Sequence, residues 1–142
     1  MPDPNTHAVS IELAVSADRT FAFMSDPKAL DRWSFGTWKT VLHAGGLVEG
    51  SSIFDGSITW VRIDADKSRG VIDYHLGKEP DALTPRIMAR VLPGDRVGLA
   101  GEASVLTMVA WRVKGMSDER WGRLVTSHEF EVYLLKSLIE AS

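Results

Sequence analysis

The sequence predicts an α+β fold: a seven-stranded antiparallel sheet curled around one long C-terminal helix, with two short helices after strand one. Three observations lead there. A period-2 run opens the chain, a texture of short β-like segments and turn residues fills residues 38–111, and a helical stripe runs through residues 117–142. Short strands with short connections become antiparallel neighbours, and a single amphipathic helix has to bury its stripe against the sheet they form. A sheet that curls around a helix can leave a hollow between them.

The elements follow in order. "HAVSIELAV" alternates, with Val9, Ile11, Leu13 and Val15 on one face and Ser10 and Glu12 on the other, as in a half-buried strand. In "SADRTFAFMSDP" the period changes: Ser16 can cap a short helix, Phe21 and Met24 share a face, and Pro27 stops the turn. "PKALDRW" allows a second short helix, because proline suits a first helical position. The segments "WKTVLHA", "SSIFDG", "SITWVRIDAD", "GVIDYHLG", "RIMARVLPG" and "SVLTMVAWRV" read as six strands. Turn chemistry separates them at Gly45-Gly46, Asp55-Gly56, Asp66-Lys67, Gly77 to Asp81 and Gly94-Asp95.

The last helix is the best-marked element. Ser117 is a suitable N-cap, Asp118 and Glu119 suit the positive end of the helix dipole, and no proline interrupts the run to Ser142. At about 100° per residue, Trp121, Val125, His128, Val132, Leu135 and Ile139 fall within roughly 40° of one line, with Leu124 beside them. A histidine therefore sits in the middle of an apolar stripe.

At 142 residues the chain is expected to form one domain, residues 1–142, with no Pro/Gly-rich linker, repeat or low-complexity tract to divide it. A formal charge of −3 gives no electrostatic reason to expect nucleic acid or an anionic membrane surface as a partner. The chain has no cysteine, which removes disulfides, thiolate nucleophiles and Cys-ligated zinc and suits a reducing compartment. The start "MPDPNTHAVS" lacks the basic-then-apolar pattern of a secretory leader, and no segment is apolar enough to span a bilayer. A cytoplasmic protein without membrane insertion is the expectation.

This order of elements, with "VSADRTFAFMSDPKALDRW" near the start, resembles the START-related, polyketide-cyclase-like (SRPBCC) superfamily. The resemblance covers nearly the whole chain and rests on an apolar first strand, the Phe21-x-Phe23 pair, Asp26-Pro27, Trp33 and the amphipathic last helix. It implies a helix-grip fold with a cavity between sheet and helix. Members of that superfamily bind lipids, sterols, polyketides, quinones or plant hormones there; some catalyse cyclisation, dehydration or ring hydroxylation, and others are chaperone cofactors. Fold alone does not choose among these. The ring-hydroxylating branch needs two histidines and a carboxylate around iron, and His7, His43, His75 and His128 offer no such spaced pair. Val132 stands where a zinc-protease motif begun by His128-Glu129 would need its second histidine. No nucleophile elbow, phosphate loop or dinucleotide fingerprint occurs, so neither cofactor nor metal is expected.

Each candidate residue has a functional and a structural reading. His128 is either a cavity-lining imidazole, hydrogen-bonding a ligand or acting as general acid or base, or a buried histidine satisfied by a neighbour. Asp73 and His75 share a strand face opposite Ile72, Tyr74 and Leu76, so they belong in solvent unless a bulge reverses the register. Five tryptophans are many for this length; Trp33, Trp38, Trp60, Trp111 and Trp121 are candidate pocket walls or core fillers. Arg62 and Arg112 could grip a ligand carboxylate from inward positions but more often snorkel, and Arg86 and Arg90, alternating with Ile87, Ala89 and Val91, read as solvated. "SVLTMVAWR" is apolar on both faces, and Phe130, Tyr133 and Leu134 lie on the back of the helix, which suggests a homodimer.

The leading functional expectation is a protein that binds a small apolar or aromatic molecule between the sheet and residues 117–141, with Trp121, Val125, His128, Val132 and Leu135 on the helix side. The alternatives are a cyclase or dehydratase using His128 as acid or base, and a protein-interaction module with a filled core.

Overall fold

The computed structural model describes all 142 residues. Strand β1 (Thr6–Leu13) leads into α1 (Ala17–Met24), then a 3₁₀ turn (Pro27–Ala29) that continues as α2 (Leu30–Trp33). Strands β2 (Trp38–Leu42), β3 (Leu47–Ser51), β4 (Ile58–Asp66), β5 (Val71–Gly77), β6 (Thr84–Pro93) and β7 (Ser104–Trp111) follow, and α3 (Asp118–Ala141) closes the chain. All strand pairs are antiparallel, in the order β1-β7-β6-β5-β4-β3-β2. The meander from β2 to β7 is thus completed by β1, which pairs with β7 from Thr6 opposite Trp111 to Leu13 opposite Ser104.

Local chemistry explains the boundaries. The Ser16 hydroxyl accepts the Arg19 amide at the start of α1, the Asp26 carboxylate accepts the Lys28 amide before the 3₁₀ turn, and Ser117 accepts the Arg120 amide at the start of α3. The turn between β4 and β5 ends on Gly70 at φ +66°, where an added Cβ would also meet the Val91 carbonyl oxygen at 2.3 Å.

One strand lies elsewhere than the sequence suggests. Only Ser51 of "SSIFDG" lies in a strand; the rest is the loop of a hairpin, with Ile53 and Phe54 about half exposed, and β3 is "LVEGS", ending on Ser51. Glu49 and Gly50 make that segment a poor strand by propensity. Gly50 is used because the backbone of Thr37 passes over it: a Cβ there would stand 2.9 Å from the Thr37 Cα.

One face of the sheet and the stripe of α3 form the core. Leu13, Val48, Val61, Ile72, Ala89, Leu106 and Met108 point inward from the strands, while Val132, Leu135 and Ile139 come from α3. Each large side chain so buried contributes roughly 1.5–3 kcal/mol. Asp73 and His75 keep the outer face, with Ile72 and Tyr74 inside. The C-terminal half of α3 is tied down: Lys136 Nζ donates to the Glu12 carbonyl at 3.0 Å, and Glu140 accepts the Ala14 amide at 2.7 Å. No helix is long and apolar enough to cross a membrane.

Candidate functional site

Along α3 burial falls off toward the N-terminus. Val132, Leu135 and Ile139 are within 1% of full burial, whereas Trp121, Leu124 and Val125 are only partly covered. The helix packs chiefly on β1 at the edge of the sheet, so its first three turns stand off from β4, β5 and β6. A cavity of about 150 Å³ fills the gap. That is room for an occupant near the size of one benzene ring. Trp33, Val61, Leu76, Ile87 and Met108 supply apolar wall, and the hairpin loop 52–57 lies at the rim with the first turns of α3.

The helix wall is polar. His128, 5% exposed, and Glu131, 3% exposed, are neighbours one turn apart on α3. His128 Nε2 is 3.9 Å from Glu131 Oε1, close but beyond hydrogen-bonding distance. Glu131 Oε2 accepts the Phe35 backbone N–H at 2.9 Å, which fixes the carboxyl and the segment after α2 together. Burial pushes the Glu131 carboxyl up to about 8, only partly offset by that amide, and pushes the His128 imidazole down to about 4, helped by His7. At neutral pH the pair is therefore a protonated acid beside an unprotonated base. His7 extends the inward face of β1, and its ring meets that of His128 edge-on with centroids 6.5 Å apart. The Tyr74 hydroxyl donates to the Met24 carbonyl at 2.6 Å, and its ring meets the Trp33 indole edge-on. Burial raises the Tyr74 phenol, which stays protonated.

Polar atoms on several sides of the cavity lack partners. Trp33 Nε1, Thr37 Oγ1 and His128 Nδ1 are buried with no hydrogen bond from the protein, although buried polar groups nearly always have one. Arg86 Nε is in the same state. Its position comes from a β-bulge: Tyr74 pairs with Ile87 and the next residue, His75, with Pro85, so Arg86 is the extra residue of β6. The bulge brings Arg86 to the cavity beside Ile87, which corrects its expected solvated place. Burial, and then the positive charge of Arg120 nearby, lower its pKa.

Neither a protein-family profile nor any curated protein matches the sequence, but solved structures do. A START superfamily protein from Mycobacterium smegmatis aligns at TM-score 0.64 with 14% identity over 96% of this chain and 97% of its own. The Aha1 dimer from Colwellia psychrerythraea gives 0.67 with 11% identity, covering 95% and 96%. DynU16, from the dynemicin biosynthetic locus, gives 0.62 with 14% identity over 98% of this chain and 48% of its own. The fold is the START-like helix grip.

Within that grip, Trp33 and His128 line the cavity. Val132 and Leu135 lie deeper, in the packed core. Trp121 and Val125 are half-buried on α3 outside the lining. Trp38 (46% exposed) sits on edge strand β2, Trp111 (37%) ends β7 on the outer face, and Trp60 packs its ring against His43 on the outside of the sheet. Arg62 and Arg112 brace loops instead of facing the cavity: Arg62 donates to the Gly45 carbonyl at 2.8 Å, and Arg112 to the Met116 carbonyl and Asp118. Sequence reasoning placed Arg86 in solvent and gave no role at the cavity to Glu131 or His7. His7 shares parity with Val9, and Glu131 is one turn past His128, so both had a signal; the bulge that turns Arg86 had none.

Proposed function

We propose that the protein binds a small apolar or aromatic molecule in the cavity between the sheet and the first half of α3. The observation that carries this reading is a cavity whose apolar floor from the sheet is joined by buried polar atoms without partners, Trp33 Nε1, Thr37 Oγ1 and His128 Nδ1. A ligand with one or two polar groups would satisfy them. A filled core would leave no such space, which weighs against a pure interaction module. The likeness to a START superfamily protein supports the same class of function. Native mass spectrometry of gently purified protein, with analysis of its organic extract, is expected to reveal a small adduct lost on denaturation. No adduct, together with unchanged tryptophan fluorescence across a panel of lipids and aromatic acids, would overturn the reading.

A second reading is favoured by the His128–Glu131 pair. One group is held as base and the other as acid over the same pH range, the arrangement used in cyclisation or dehydration. As an enzyme the protein would show a bell-shaped rate profile with limbs near pH 4 and 8, each limb removed by His128→Gln or Glu131→Gln respectively. Unchanged turnover in both variants would dismiss the pair from the chemistry.

We also infer self-association, from the exposed Phe130 and Tyr133 on the outer face of α3 and a structural relative solved as a dimer. Sedimentation at working concentration tests it, and a clean monomer would remove it.

A further inference from the structure

We propose that the cavity's ligand is an anion: a compact aromatic carboxylate whose charged end docks on the Arg86 guanidinium, with Arg120 beside it. This rests on the cavity being a ligand site, as argued above. Arg86 makes none of the side-chain hydrogen bonds or ion pairs in the structure, and its Nε is buried without a partner. Arg86 is only partly covered as a residue, but a buried guanidinium N–H without a partner is costly, and a carboxylate is the partner that best satisfies it.

The carboxyl groups at the cavity and its mouth are engaged elsewhere. Asp55 lies 3.6 Å from Arg123 and accepts the Ser57 hydroxyl and amide. Asp118 pairs with Arg112 at 2.7 Å. Glu131 accepts the Phe35 amide and is uncharged at neutral pH. The cavity wall therefore carries three arginines, Arg86, Arg120 and Arg123, against one ionised carboxylate, Asp55. An incoming anion would fill the deficit, and the planar fork of a guanidinium matches a carboxylate with two parallel hydrogen bonds.

The body of the ligand is set by the other walls. Trp33, Tyr74, Leu76, Ile87 and Met108 enclose space near one ring in volume, which suits a flat aromatic acid better than a long acyl chain. The bulge gives the arrangement its specificity, because in a regular strand Arg86 would point into solvent while Ile87 alone faced inward.

Calorimetric titration of benzoate and its neutral isostere benzamide tests the proposal on the full chain, in wild type, Arg86→Gln, Arg86→Lys and Arg120→Gln, with a thermal melt of each variant to show that it is folded. Wild type is expected to bind benzoate at least about 10-fold more tightly than benzamide, the scale of one charge-assisted bidentate contact. Arg86→Gln should abolish that preference. Arg86→Lys should restore part of the preference, and Arg120→Gln should reduce it. Equal binding of acid and amide by wild type, indifferent to Arg86, would overturn the anion while leaving the cavity reading intact. Decanoate bound more tightly than benzoate would overturn the aromatic body. Failure of every ligand to bind would overturn the cavity reading and this inference with it.

Discussion

The two halves of α3 are built from one periodic stripe and end up as different materials. From Val132 to Ile139 the helix is pressed on the sheet, its stripe residues at most 1% exposed, and Lys136 and Glu140 pin it to the end of β1. From Arg120 to Glu131 the same helix stands over a hollow and presents arginines, a histidine and a buried carboxyl. Close packing stabilises the first half; the second half carries buried polar groups at a cost in stability and gains chemistry. A continuous apolar stripe therefore identifies the face of a helix but does not distinguish its anchor from its working end.

Substitutions in each half, and a change of pH, put this contrast to the test. The largest effect is expected in the anchor: Leu135→Ala should cost about 2–5 kcal/mol of unfolding free energy in denaturant titration, because the site has no solvent to fill it. A cost below about 1 kcal/mol would mean that the C-terminal half is as loose as the N-terminal half. Next comes the pH dependence of the polar pair. Glu131 binds its proton more tightly folded, up to about 8, than the ordinary 4.5, so it loses stability as pH rises between those values. His128 binds its proton less tightly folded, about 4 against 6.5, so it gains stability as pH rises from 4 to 6.5. The two offset each other from about pH 4.5 to 6.5, and above that only the Glu131 loss continues. Stability measured by urea titration should fall by about 2 kcal/mol between pH 6.5 and 8, and Glu131→Gln should flatten that fall. A flat profile in wild type would place Glu131 in a solvated setting. Smaller again is Leu124→Ala, at the cavity's edge, where a partly covered side chain should cost about 1 kcal/mol or less by the same titration. Smallest is Arg123→Ala: its half-exposed pair with Asp55 should be worth under about 1 kcal/mol, while ligand exchange at the rim quickens in stopped-flow mixing.

Much of this was legible in residue order. Alternation placed Val9, Ile11 and Leu13 on the inner face of β1, the Asp55-Gly56 and Gly94-Asp95 turns fell between strands, and Ser117 capped α3. The stripe located His128 on the buried face. Propensity failed at β3, where Ile53 and Phe54 resemble a strand but ride on an exposed loop while "LVEGS" pairs with β2 and β4. Periodicity failed at Arg86, since an unpaired residue opposite Tyr74 and His75 changes the inward set without leaving any mark in composition. Most of the tryptophans were a poor guide for another reason: a large ring serves as well on a sheet's outer face, as at Trp60 and Trp111, as on a cavity wall.

The pairing of β1 with β7 also orders events in time. Ser10 and Thr107 touch through their hydroxyls at 2.6 Å, although 97 residues separate them. Strand β1 must therefore wait for nearly the whole sheet to be synthesised before it finds its neighbour, and α3, which rests on β1, docks later still. Pulsed hydrogen exchange during refolding should protect β4, β5 and β6 before β1 and α3; protection of β1 first would contradict that order. Along this route the cavity comes into being only with the final step, so a newly made chain meets its ligand no earlier than the moment its last helix settles.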